Sequence, residues 1–435
     1  MTVDEQPPPT PAPDVRDQAV ERYVVAMRRP RLIYAGVITV VVIALVAVVA
    51  VLWSGSEVAH TTLHQAAVAA PPVTPGTPSD PLRRAWQGSD HSAIGTPYWI
   101  GTVVTFDAHT VRGRNGTTGA VTWSYNRSDR TVCEAIQDQG TTVAIYEHGG
   151  NCDEVTALDS GTGTRKWTRT LDKDGAPLNG HPTYAVGPYT IMLTTPSVIY
   201  AFDPGSGLDR WTFSQRGCTI HGAALGSIGA LISQTCVSPR CSGLKFCGAG
   251  PQLVMRDPTA GHSDDDKDKA NPDQIKWIRL GLDATPASAD QLVSAVDTAT
   301  DQLVVFDAGK GSSSTQLPLH AGATAPITAL PTTQAELLWI DATLYAVNLQ
   351  SQTVTWSTPT SQPPTLTPPA TANLGDVPTL DTATILVAQA SGIDLLAGTD
   401  GRVRHTYAAA NPAGARAYPF GTGFVVASVP TTVYQ

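Results

Sequence analysis

Apolar and polar positions divide the chain into three stretches. Residues 1–31 are polar and Pro-rich, a composition that predicts a disordered tail. Leu32 to Trp53 then reads LIYAGVITVVVIALVAVVAVLW, 22 residues without a charge. A helix needs roughly 20 apolar residues to cross a bilayer, so 32–53 is predicted to be a single transmembrane helix. Residues 54–80 are rich in Ala, Pro and Thr without a period, and read as an extended tether. From residue 81 onward, short apolar runs such as VIYAF and QLVVF alternate with clusters of Gly, Asp, Asn and Ser, the pattern of strands joined by tight turns. Two insertions, 237–252 and 262–273, interrupt that pattern.

The runs recur. VRGRNGTTGAVTW closes at Trp123, EVTALDSGTGTRKW at Trp167 and VIYAFDPGSGLDRW at Trp211, with 44 residues between successive tryptophans. Repeats of about 40–50 residues point to a propeller or a solenoid. Weaker copies close at Trp277, Thr315, Trp356 and His405. The stretch PLRRAW carries Trp86 with no strands before it. The segment AYPFGTGFVVASVPTTVYQ carries strands with no closing tryptophan. The two halves complete one mixed blade that closes the ring and removes its open edge. The prediction is therefore all-β, an eight-bladed propeller over 81–435 preceded by a single transmembrane helix. Seven blades would follow if the Thr315 copy were not one.

Within each copy the residue types have distinct tasks. Asp159, Asp203 and Asp307 open tight turns, where a carboxylate accepts backbone N–H bonds. Gly163, Gly207 and Gly311 take a positive φ that other residues resist. Trp86, Trp123, Trp167, Trp211, Trp277 and Trp356 offer a large flat face and one N–H donor to the next blade.

The phrase D-x-x-(S/T)-G-x-x-x-W in DSGTGTRKW resembles the tryptophan-docking repeat of pyrroloquinoline-quinone-type eight-bladed propellers, and the resemblance covers 82–435. That family includes quinoprotein dehydrogenases and non-catalytic propellers, among them the lipid-anchored propeller subunit of the outer-membrane protein assembly machine. In the dehydrogenases the quinone stacks at the axis on two adjacent disulfide-bonded cysteines. No Cys-Cys pair occurs in this sequence. The resemblance is thus to the non-catalytic, membrane-anchored branch, and it implies no cofactor and no catalytic residue.

Charge narrows the setting. Only 15% of residues are charged and the net charge is −9, with no basic run for phosphates, so nucleic acid is not an expected partner. Arg22, Arg28, Arg29 and Arg31 precede the apolar span, and no Lys or Arg follows it until Arg83. The positive-inside rule puts the N-terminus in the cytoplasm and the propeller outside. Six cysteines suit an oxidising compartment. Cys133 and Cys152 recur at nearly the phase of Cys218 and Cys236, which predicts two disulfides bridging the inner strands of a blade. Cys241 and Cys247 would close a small loop. No metal site is expected: Cys241-x5-Cys247 lacks zinc spacing, and SDDDKDK at 263–269 lacks calcium-loop spacing.

These features predict a membrane-anchored, extracytoplasmic protein-binding or scaffolding module of the cell envelope, with an envelope protein as partner. The alternatives are a quinone-dependent dehydrogenase or small-ligand sensor using the propeller axis, and a cell-wall polymer binder using Tyr98 and Trp99.

Overall fold

The computed structural model describes residues 37–54, 56–74, 76–173, 176–178, 180–187, 190–237, 248–257, 275–318, 327–367 and 378–435. The tail at 1–31, Cys241, Cys247, the 262–273 insertion and most of the 237–252 insertion lie outside them. The chain forms two units, residues 1–61 and 62–435. The first contains an apolar helix, Val37–Ser54, long enough by length and composition to cross a bilayer.

The second unit is an eight-bladed propeller of four-stranded antiparallel sheets, with a fifth, parallel strand at Ile94–Gly95 added to blade 2. In chain order the blades span 102–127, 131–170, 183–213, 218–280, 284–318, 327–359 and 364–408, with the eighth built from 416–434 and 84–87. Short strands at His91–Ser92 and Tyr98–Trp99 complete the first. Blade 3 shows why this sequence folds so. Its second and third strands, Thr190–Thr194 and Ile199–Phe202, are buried along their whole length, so both faces must be apolar. Fourth strands lie at the rim and are more exposed, as Val354–Pro359 is in blade 6. The core therefore sits between blades. Ile145 and Val155 of blade 2 pack with Leu193, Tyr200 and Phe202 of blade 3. Each such fully buried side chain contributes about 1.5–3 kcal/mol.

The ring closes through its ends. Arg84, Trp86 and Gln87 pair with Tyr434, Val433 and Thr432. Arg83 and Gln435 exchange backbone hydrogen bonds of 2.7 and 2.8 Å. Asp90 ties this seam to blade 1: its carbonyl accepts from Thr431, and its carboxylate is 2.5 Å from Arg114 and 3.3 Å from Arg112. Burial opposes the Asp90 charge, but Arg114 and Arg112 outweigh it and hold the carboxyl below the usual range. A second buried knot joins blades 1 and 2, where Arg127 donates to Glu154 and Arg130 reaches the same carboxylate at 3.0 Å.

Of the tether expected at 54–80, residues 62–74 and 76–80 lie along the ring as a strap. The strand Thr61–His64 adds to the outer strand of blade 1. The Ala66 N–H donates to Thr162 O at 2.9 Å, Gly76 N–H to Gly421 O at 2.9 Å and Ser79 N–H to Thr422 O at 3.0 Å. Ala70 is buried, and Asp80 stands 3.0 Å from His405 Nε2. The segment crosses turns of blades 2, 1 and 8 in that order. All these turns join first to second or third to fourth strands, so the strap marks one face of the ring.

Candidate functional site

The repeat residues make one joint, used around the ring. Nε1 of Trp86, Trp123, Trp167, Trp277 and Trp356 donates to Gly116, Ser160, Pro204, Ala308 and Gly398 at 2.8–3.0 Å. Every acceptor is a carbonyl in the third-to-fourth turn of the following blade. Trp211 lies under the Arg256 guanidinium at 4.8 Å, and the turn that follows blade 4's third strand is outside the described residues. The turns are shaped by their aspartates. Asp159 Oδ1 accepts from the amides of Gly161 and Thr162, Asp203 Oδ1 from Ser206, and Asp307 Oδ1 from Gly309 and Lys310, at 2.7–3.1 Å.

Gly163 and Gly207 are needed twice over. Both have φ near +73°, and a Cβ on either would lie 2.6–2.8 Å from the preceding blade's tryptophan ring. Gly311 stands in the same relation to Trp277. The φ requirement was legible from the turn; the ring resting on the glycine was not. The degenerate copies show how the joint varies. In blade 5, Thr315 occupies the tryptophan slot and donates to Gln352 at 2.9 Å, and Gln352 sits at φ +50° where a glycine belongs. In blade 7, His405 meets Asp80 of the strap, because the eighth blade's third and fourth strands come from opposite ends of the chain and share no hairpin turn.

Cys133–Cys152 and Cys218–Cys236 are disulfides. Cys218–Cys236 pairs the first and second strands of blade 4. Cys133–Cys152 instead joins the first and third strands of blade 2, since bulges on both sides of the second strand bring the two Cα atoms to 6.1 Å. His181 Nδ1 lies 3.1 Å from Cys152 Sγ. With both sulfurs in a disulfide, this cluster offers no thiolate to a metal. The insertions near 237–252 and 262–273 leave blade 4 at opposite ends of its third strand, Gly250–Arg256. Their bases therefore lie on opposite faces of the ring, not side by side.

A cavity of about 700 Å³ opens at the axis. First strands from blades 2, 3, 6 and 8 line it with Glu134, Tyr184, Leu330, Arg416 and Tyr418. Its rim includes Ser428 and Val429, in a second-to-third turn, so the mouth faces away from the strap. Burial pushes the Glu134 carboxyl up to about 7, against one hydrogen bond from the Ala135 amide at 3.0 Å. Burial and the nearby Glu134 raise the Tyr184 hydroxyl. Tyr418 is raised by burial, against the hydrogen-bonded Arg416. Arg416 also donates to Thr328 Oγ1 at 3.4 Å. Tyr98 and Trp99, expected to be exposed, are half-buried: Tyr98 packs edge-on to Phe420 at 5.3 Å, and Trp99 lies against Gly140. They are part of the ring's packing and offer no aromatic platform to a polymer.

Residues 83–238 match the family described as "Outer membrane protein assembly factor BamB". No curated protein matches the chain. Among solved structures, a BamB from Moraxella catarrhalis is 18% identical with TM-score 0.46, over 81% of this chain and 99% of that one. The computationally designed Ika8 protein is 12% identical with TM-score 0.52, over 81% and 98%. A quinohemoprotein alcohol dehydrogenase from Pseudomonas putida HK5 is 12% identical with TM-score 0.42, over 79% and 71%. The chain is an eight-bladed propeller, and its residues 83–238 are similar to that family.

Proposed function

We propose that this BamB-like ring is a protein-binding scaffold of the cell envelope. The apolar helix anchors it with the N-terminus in the cytoplasm and the propeller outside. One observation carries the reading: the match of 83–238 to a family described as an assembly factor, which places that kinship on the blades themselves. The geometry supports it. The interlocked Trp–carbonyl joints make a rigid ring, and rigid turn-bearing faces suit partner recognition. The strap lies on one face near blades 8, 1 and 2, so the opposite face is assigned to the partner. The stretch around 237–252 leaves blade 4 on that face.

Site-specific photocrosslinking in cells tests the assignment. Probes at Gly149 and Val429, both in second-to-third turns, should give discrete protein adducts. A probe at Leu208, exposed in a turn of the strap face, should give few. Adducts from Leu208 alone, or none from any position, would refute the proposal. The alternative of a quinone-dependent dehydrogenase or ligand sensor has the axial cavity in its favour. A rise of several degrees in melting temperature on adding pyrroloquinoline quinone with calcium would support it.

A further inference from the structure

We propose that the axial cavity is a receptor site for a small zwitterion of the amino-acid type, its ammonium held by Glu134 and its carboxylate by Arg416. The inference does not depend on whether the ring also holds a protein partner. Both side chains line the same cavity, one from blade 2 and one from blade 8. Among the described residues neither takes part in an ion pair, with each other or with a third group. Glu134 accepts from the Ala135 amide through Oε1. Its other oxygen has no protein hydrogen-bond donor among the described residues. Arg416 uses part of its five-donor fork on Thr328 and Tyr418.

An acidic and a guanidinium side chain that line one partly desolvated space without pairing define their ligand. A cation alone would leave the guanidinium uncompensated, and an anion alone would leave the carboxylate so. A molecule carrying both charges satisfies the two walls at once through charge-assisted hydrogen bonds. The rest of the lining suits an apolar or aromatic side chain, with Ile94, Val186 and Leu330 beside the two tyrosines. The volume lies within the usual range for small-molecule sites.

Calorimetric titration of the full chain in detergent with the standard amino acids, one at a time, tests the site. At least one should bind. Its amine-only and acid-only analogues should bind at least about tenfold more weakly, the usual effect of losing one charged hydrogen bond. Glu134→Gln should abolish the preference over the acid-only analogue, and Arg416→Gln the preference over the amine-only one. Arg416→Lys keeps the charge and should retain binding if Arg416→Gln fails to fold. Three results would overturn the proposal: no amino acid binding at millimolar concentration, equal binding of all three probe types, or an unchanged titration in well-folded Glu134→Gln.

Discussion

Replacing Gly207 with alanine tests the joint on which the ring is built. The new Cβ would sit 2.6 Å from Cδ2 of Trp167, and ordinary contact begins near 3.4 Å. The indole must move by roughly 0.8 Å, and that motion strains the 3.0 Å bond from its Nε1 to Pro204 O. Two costs combine. Holding an L residue at φ +74° costs about 1–2 kcal/mol, and overpacking adds about 1–3 kcal/mol. The expected loss is about 2–5 kcal/mol. Gly149 is the control: its φ is +61°, and a Cβ there meets nothing within 4 Å. Gly149→Ala should cost only the backbone component, about 1–2 kcal/mol. Urea denaturation of the purified variants, followed by tryptophan fluorescence, measures both. In a Trp167→Ala background the cost of Gly207→Ala should shrink to the Gly149 value, a coupling that a double-mutant cycle isolates. Equal losses for Gly207→Ala and Gly149→Ala in the native background would refute the reasoning, since the glycine would then serve φ alone.

Other perturbations reach other parts of the ring. Thr315→Trp should destabilise, because the indole meets the side chain at Gln352; with Gln352→Gly it should recover stability, as thermal melts of the pair would show. Burial pushes Glu336 up to about 8, above its ordinary 4.5. The folded chain therefore keeps a proton that the unfolded chain has released between those values, and stability falls as pH rises through that window. Glu336→Gln should flatten the fall, read from urea midpoints at pH 5 to 8. Peptide mapping without reductant should recover Cys133 joined to Cys152 and Cys218 to Cys236. Because Cys133 and Cys152 are 19 residues apart, replacing both with serine should cost about 3 kcal/mol on the chain-entropy account.

The blades were legible because each repeats one local rule. Asp159, Gly163 and Trp167 sit within nine positions, and the spacing survives even where Asn348 or Gln352 replaces the preferred residue. The closing blade was legible from two complementary defects, a tryptophan strand without partners and strands without a tryptophan. The strap was not. Ala66, Gly76 and Ser79 bind through backbone amides to turn carbonyls, so no periodic side-chain pattern marks them, and the Ala/Pro/Thr composition reads as free tether. The axial cavity was hidden for a different reason. Its walls take one to three residues from the first strand of each contributing blade, so Glu134, Tyr184, Thr328 and Arg416 converge only once the ring is formed. The insertions at 237–252 and 262–273 are close in sequence, yet the strand between them, Gly250–Arg256, puts their bases on opposite faces.

The mixed eighth blade sets the order of events during biogenesis. Gln87 finds its partner Thr432 at a separation of 345 residues. Synthesis runs from the N-terminus, so the rim strand Arg84–Gln87 emerges first and waits unsealed while seven blades are made. Loop closure over that span comes late and slowly. Until Thr432–Tyr434 arrives, the nascent chain presents a bare sheet edge, a feature that makes unfinished chains prone to pair with one another. A premature stop that removes those few residues leaves the circle unlatched, however sound the other seven blades.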